Sequence, residues 1–130
     1  MHVYAVHEIT SYLRELFESN PLLTDVWVTG ECSNVSRPAS GHVYFTLKDA
    51  DAQLRCAFFA SRNRPAATTA RLVENGAAVT AHGRVSLYEQ RGELQFYVDF
   101  VQPEGVGLHH AQFERDVATL EKRPARRVGK

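Results

Sequence analysis

No apolar run in this chain of 130 residues is long enough to cross a bilayer, and no charged-then-apolar leader with a small-residue cleavage site opens it. Both absences argue for a cytoplasmic protein with no membrane partner. Cysteine is scarce. Cys32 and Cys56 lie too far apart for a CxxC redox or zinc site, and in a reducing compartment they are expected as free, buried thiols. Net charge is missing too: 15 basic side chains balance 15 acidic ones, which argues against a strongly basic nucleic-acid binder. Internal repeats, low-complexity segments and clustered carboxylates or metal ligands are also wanting, so no catalytic residue, metal or cofactor is assigned. What remains is enough for one domain with a real core.

The charges that are present are sorted along the chain. Residues 1–31 hold five acids (Glu8, Glu15, Glu18, Asp25, Glu31) and one base, Arg14, whereas residues 122–130 hold five bases and no acid. Residues 32–101, with eight bases and six acids, are nearly balanced. Any anion-binding surface there is a local patch, of modest affinity and steep salt sensitivity.

Hydrophobic periodicity divides the chain. Ile9, Tyr12, Leu13, Leu16 and Phe17 make one helical stripe, with Glu8 suited to the dipole at its start. Ala5 and Val6 supply no capping oxygen, and Asn20-Pro21 ends the helix. From Val26 the period is two. Val26 and Val28 alternate with Trp27 and Thr29, Trp27 is expected beneath the helix, and Gly30 reads as a bulge or corner. Residues 40–49 and 54–59 form two strands with Val43, Phe45, Leu47, Leu54, Cys56 and Phe58 inward. Residues 62–76 lose the alternation and predict a short helix between Pro65 and Asn75-Gly76. Residues 77–88, the tight turn 89–92 and a last strand follow, with Leu94, Phe96, Val98 and Phe100 inward. Beyond Gly105 and Gly107 comes a final helix bearing Phe113, Val117 and Leu120 on one side, then a short disordered basic tail. This order predicts a mainly β fold with flanking helices: a five-stranded OB-fold Greek-key barrel, with a helix between its third and fourth strands. Residues 1–104 are the N-terminal helix plus barrel domain; residues 105–130 are a linker, a C-terminal helix and the tail.

The polar strand faces carry the chemistry. Tyr44, Lys48 and Arg55 share the outer face of strands two and three, where OB barrels hold oligonucleotides; rings stack on bases and cations neutralise phosphates. Arg84 and Tyr88 on strand four, Arg91 in the next turn, and Arg37, Ser40 and His42 before strand two complete the candidate nucleic-acid site. Each has a plainer reading as a surface ring under a loop or a solvated charge. Ser40 and His42 lack a third group to orient the imidazole for nucleophilic catalysis. His109 and His110 are adjacent on a helix and point apart, Gly105-x-Gly107 lacks the rest of a phosphate loop, and Asp49 and Asp51 read as turn residues.

Residues 6–9, 26–34, 40–49 (Ser-Gly-His-Val-Tyr-Phe-Thr-Leu-Lys-Asp), 83–92, Gln95 and 105–108 together resemble the N-terminal domain of the exodeoxyribonuclease VII large subunit. The resemblance covers about residues 3–121 and departs mildly at His7 and Cys32. It implies an OB-fold that binds single-stranded DNA ahead of a nuclease domain, and small subunits recruited through regions beyond this chain. The family's catalytic residues would follow the point where this sequence ends, so none carries over, and an isolated domain and a truncated reading frame both fit. A DNA-binding module is therefore expected. The alternative is an assembly module in which Phe113, Val117 and Leu120 dock on a further domain or a second copy; a nuclease in its own right is disfavoured.

Overall fold

A computed structural model of the chain describes residues 1–59 and 68–104. Helix α1 (Val6–Glu18) precedes β1 (Val26–Ser36), β2 (Val43–Lys48) and β3 (Gln53–Phe58); a 3-10 helix (Thr68–Leu72) leads to β4 (Ala78–Tyr88) and β5 (Glu93–Pro103). The expected C-terminal helix and tail, and Pro65, lie outside the described residues.

The strands close in the order β1-β2-β3-β5-β4, with β3 and β5 parallel and every other pair antiparallel. This is the expected mainly β, five-stranded barrel. Phe45 and Phe96, each at most 1 % exposed, fill its centre together with Val73, Val79 and Val101. Cys32 and Cys56 are free thiols in the same core. Burial lifts both above the ordinary thiol range, Cys56 to about 12, so neither is a nucleophile at neutral pH.

Helix α1 starts without a capping side chain on Ala5; instead the Glu8 carboxylate reaches back to accept the Ala5 N–H at 2.7 Å. After it ends, Asn20 Oδ1 accepts the N–H groups of Leu22 and Leu23 and turns the chain towards β1. The face laid on the barrel is partly polar. Ser11 bonds Glu89, and Glu18 accepts from Ser86, so Leu13 and Phe17 are half-buried while Ile9, Tyr12 and Leu16 stay exposed. The apolar stripe is split by these polar anchors.

Two irregularities correct the sequence reading. In β1 the register with β2 shifts between Ser33 and Ser36, where Asn34 has φ 52°, and not at Gly30. Gly30 is needed for close approach: a Cβ there would stand 2.9 Å from the Lys48 carbonyl oxygen. In β5, Gly83 pairs with Val98 but His82 with Phe100, leaving Asp99 as an extra residue. The phase of the strand changes there. Val101 turns inward, and Phe100, expected inside, lies with Trp27 and His82 at ring separations of 6.0 and, for Trp27–His82, 4.9 Å. Leu94, also expected inside, is 48 % exposed at the β4–β5 turn.

Candidate nucleic-acid interface

Strand register builds the site. Tyr44 on β2 pairs with Ala57 on β3, Ala57 with Tyr97 on β5, and Tyr97 with Arg84 on β4. These four residues form one row across four strands. Ala57 is fully buried between its neighbours, so its methyl group forms the floor and the flanking rings the walls. Phe59, two residues beyond Ala57 on the same face, is 48 % exposed and binds the row together. Its ring centroid lies 5.0 Å from His42, 6.1 Å from Tyr44 and 5.8 Å from Tyr97. At the far end the Arg84 guanidinium sits over Tyr97, 4.4 Å from the ring centroid, a cation–π pair. Burial, partly offset by Arg84, raises the Tyr97 phenol above its usual pKa, so it stays a hydrogen-bond donor at neutral pH.

Two clefts flank the platform. One, of about 380 Å³, is lined by Tyr44, Arg55, Phe59, Tyr88, Arg91, Glu93, Gln95 and Tyr97. The other, of about 420 Å³, opens between α1 and β4 and is lined by Arg14, Glu18, Arg84, Glu89 and their neighbours. Tyr88 and Tyr97 belong to both, so the clefts run on into one groove. The first carries two arginines against one glutamate; Arg91 is held loosely to Glu93 at 4.0 Å on the open surface. In the second, two arginines meet two glutamates, with Arg14 tightly paired to Glu89 at 2.9 Å. Chemically, the groove offers ring faces for planar ligands and guanidinium groups for anions.

Of the residues picked from the sequence, Tyr44, Arg55, Tyr88 and Arg91 line the first cleft, Arg84 and Tyr88 the second, and His42 packs on Phe59. Arg37 is otherwise engaged: its guanidinium donates to the carbonyls of Ala70, at 3.2 Å, and Val73, closing the end of the 3-10 helix. Neither Arg37, Ser40 nor Lys48 lines either cleft. Phe59, Gln95, Tyr97 and Arg14 belong to the groove and escaped sequence reasoning. Outward parity was the available signal for Tyr97 and Phe59, since both share a face with residues already chosen. Asp49 caps its own turn, accepting the N–H groups of Asp51 and Ala52. Among the described residues no three His, Cys, Asp or Glu side chains are arranged to hold a metal ion.

A second aromatic row crosses β1, β4 and β5 through Trp27, His82 and Phe100. Here the imidazole is clamped by carboxylates, Nδ1 to Asp99 at 2.7 Å and Nε2 to Asp25 at 2.5 Å. Burial lowers its proton affinity, but hydrogen bonds and charge from the two aspartates outweigh that, and the net shift is upward.

Comparison with known proteins agrees with this geometry. Residues 4–102 match the family described as OB-fold nucleic acid binding domain. The exodeoxyribonuclease 7 large subunit of Halothermothrix orenii is 41 % identical over 120 residues, 92 % of this chain and 29 % of that protein. The Pseudomonas fluorescens SBW25 protein of the same name is 46 % identical over 112 residues, covering 86 % and 23 %. The chain thus spans under a third of the length of these relatives. Among solved structures, the S. pombe Stn1–Ten1 complex aligns with TM-score 0.55 at 14 % identity, covering 75 % of this chain and 71 % of that one. A replication protein A heterotrimer bound to single-stranded DNA aligns with TM-score 0.54 at 15 % identity, covering 76 % and 74 %. At such identities the likeness concerns the fold. With almost the whole described barrel inside the match, the chain belongs to the OB-fold nucleic acid binding domain family.

Proposed function

We propose that this chain binds single-stranded DNA and presents it to the nuclease part of an exodeoxyribonuclease VII large subunit, in the cytoplasm. The observation that carries the reading is the open row Tyr44–Ala57–Tyr97–Arg84 with Phe59 across it. Splayed bases stack on Tyr44, Phe59 and Tyr97, each such contact contributing ~1–3 kcal/mol whatever the base. Arg55 and Arg91 take phosphates, and the Tyr97 hydroxyl and Gln95 amide offer hydrogen bonds to base edges. A duplex keeps its ring faces stacked inside and gains only the phosphate contacts. Strand hydrolysis and the recruitment of small subunits are assigned to parts of the longer relatives outside this chain.

Fluorescence anisotropy of a labelled ~15-nucleotide single strand across a salt series tests the reading. Binding that exceeds that of duplex and weakens steeply with salt supports it; no binding at low salt overturns it. One observation favours a second reading, an assembly module. Ile9, Tyr12 and Leu16 form an exposed apolar flank on α1, and most of the relatives' length lies outside this chain, available to cover it. Loss of solubility or of assembly on Tyr12→Ser/Leu16→Ser substitution in a full-length large subunit, with DNA binding intact, would bring that reading forward.

A further inference from the structure

Glu18 closes α1 with a charge of the wrong sign for a helix C-terminus, and α1 has no basic residue in its last turn to compensate apart from its ties to neighbours. The i,i+4 pairing of Glu18 with Arg14 gives the helix little in return, since the acid lies on the C-terminal side of the base. Its surroundings explain the placement. Glu18 Oε2 accepts from Ser86 Oγ at 3.1 Å and stands 3.7 Å from Arg14 Nε and 3.8 Å from Arg84 Nη1. Ser86 is 1 % exposed, and its hydroxyl donates to this carboxylate.

The carboxylate fits the position imperfectly. Among the described residues it makes one hydrogen bond, while both guanidinium contacts exceed hydrogen-bond length and act as long ion pairs. A phosphodiester, with two anionic oxygens on a tetrahedral centre, is broad enough to engage both guanidiniums at once. The position is also continuous with the stacking row, because Arg84 is the residue that covers Tyr97. Arg14 is held from its other side by Glu89, itself fixed by Ser11 at 3.0 Å, and so stays aimed at the cleft if Glu18 leaves.

We infer that Arg14, Arg84 and Ser86 form a phosphodiester subsite, and that Glu18 is an internal stand-in that the phosphate of a bound single strand displaces. The inference rests on the single-strand-binding reading above. It makes the α1 cleft part of the strand's path, and it makes Glu18 a governor of affinity: each bound strand must first expel a carboxylate.

The test is Glu18→Gln in the full chain, assayed by anisotropy with a labelled oligothymidylate of ~15 nucleotides. Glutamine keeps the shape and can still accept from Ser86, and melting curves report whether the fold holds. The expected result is binding tighter by about threefold at low salt, with the slope of log K against log salt steeper by ~0.7. Adding Arg84→Gln to that variant cancels the gain. Should Glu18→Gln melt early, Arg14→Gln and Arg84→Gln in the parent chain decide instead, each expected to flatten the salt slope by ~0.7; unchanged slopes overturn the inference. Unchanged or weaker binding by a well-folded Glu18→Gln chain also overturns it, and leaves the wider reading standing if Tyr97→Ala still weakens binding. If neither the parent nor the variant binds at low salt, both fall together.

Discussion

Two residue pairs on the same two strands were put to opposite uses. Arg84 faces Tyr97 and His82 faces Phe100, each pair joining a basic residue of β4 to an aromatic one of β5. Around Tyr97 the rings are open, the carboxylates stand to one side, and the arginine lies over the ring face. Around Phe100 the basic group is clamped between Asp25 and Asp99 and covered by Trp27, so nothing cationic is left to offer an anion. The difference comes from one extra residue. Asp99 bulges out of the β4–β5 ladder, reverses the phase of the strand beyond it, and brings its own carboxylate onto His82. Composition alone does not make a binding face; the ladder decides which basic group lies along the open groove.

The largest expected effect comes from crowding the ladder beside the bulge. A Cβ on Gly83 would lie 2.1 Å from the Tyr97 carbonyl oxygen, and backbone there cannot yield cheaply. Gly83→Ala is expected to cost about 2–4 kcal/mol in urea unfolding and to weaken DNA binding as well, because both rows depend on it. Next, the rows should separate cleanly. Tyr97→Ala is expected to lose ~1–3 kcal/mol of single-strand affinity with a nearly unchanged melting temperature. Phe100→Ala should do the reverse, lowering stability and sparing affinity; equal behaviour of the two would end the comparison.

Smaller effects follow the cations. Arg55→Gln and Arg91→Gln should each flatten the salt dependence of binding by ~0.7 in slope. Lys48→Gln, outside both clefts, should leave it unchanged, and Arg37→Ala should lower the melting temperature without touching the slope. The smallest effect is the pH response of the clamp. His82 has a folded-state pKa above its unfolded value, so its contribution is fully present below about pH 6.5 and is lost as pH rises through the folded pKa. Melting temperature should therefore decline modestly as pH rises beyond about 6.5 in the parent chain, and Asp25→Asn should shrink that decline.

What the sequence disclosed follows from how local each signal is. Tyr44 and Arg55 were legible because they sit on a hairpin, β2–β3, whose alternation fixes both faces within a few residues. Phe59 follows β3 directly and its outward parity was readable on that hairpin, but Tyr97 joins the face only when β3 meets β5, a pairing between residues far apart in the chain that no local pattern encodes. Phe100 was assigned inward because strict alternation ignores a single inserted residue, and Leu94 because alternation does not see where the barrel wall ends at the β4–β5 turn. Arg37 looked free because the carbonyls it serves belong to a 3-10 turn some thirty positions away, at Ala70 and Val73. The apolar stripe of α1 was visible, yet its half-exposure was not, since the helix is oriented by Ser11, Arg14 and Glu18 on its other flank.

The β3–β5 pairing has a consequence in time. Its two paired positions, Cys56 with Phe96 and Ala57 with Tyr97, join residues forty apart along the chain. Such distant contacts carry a loop-closure cost that the hairpins on either side do not. The platform straddles this seam, with Tyr44 on one side and Tyr97 on the other, so it exists only once the barrel has shut. A strand laid across it fastens a long-range joint of the structure, and the ligand acts as a latch on the folded state. Hydrogen exchange at the seam amides would then slow on binding more than anywhere else in the barrel.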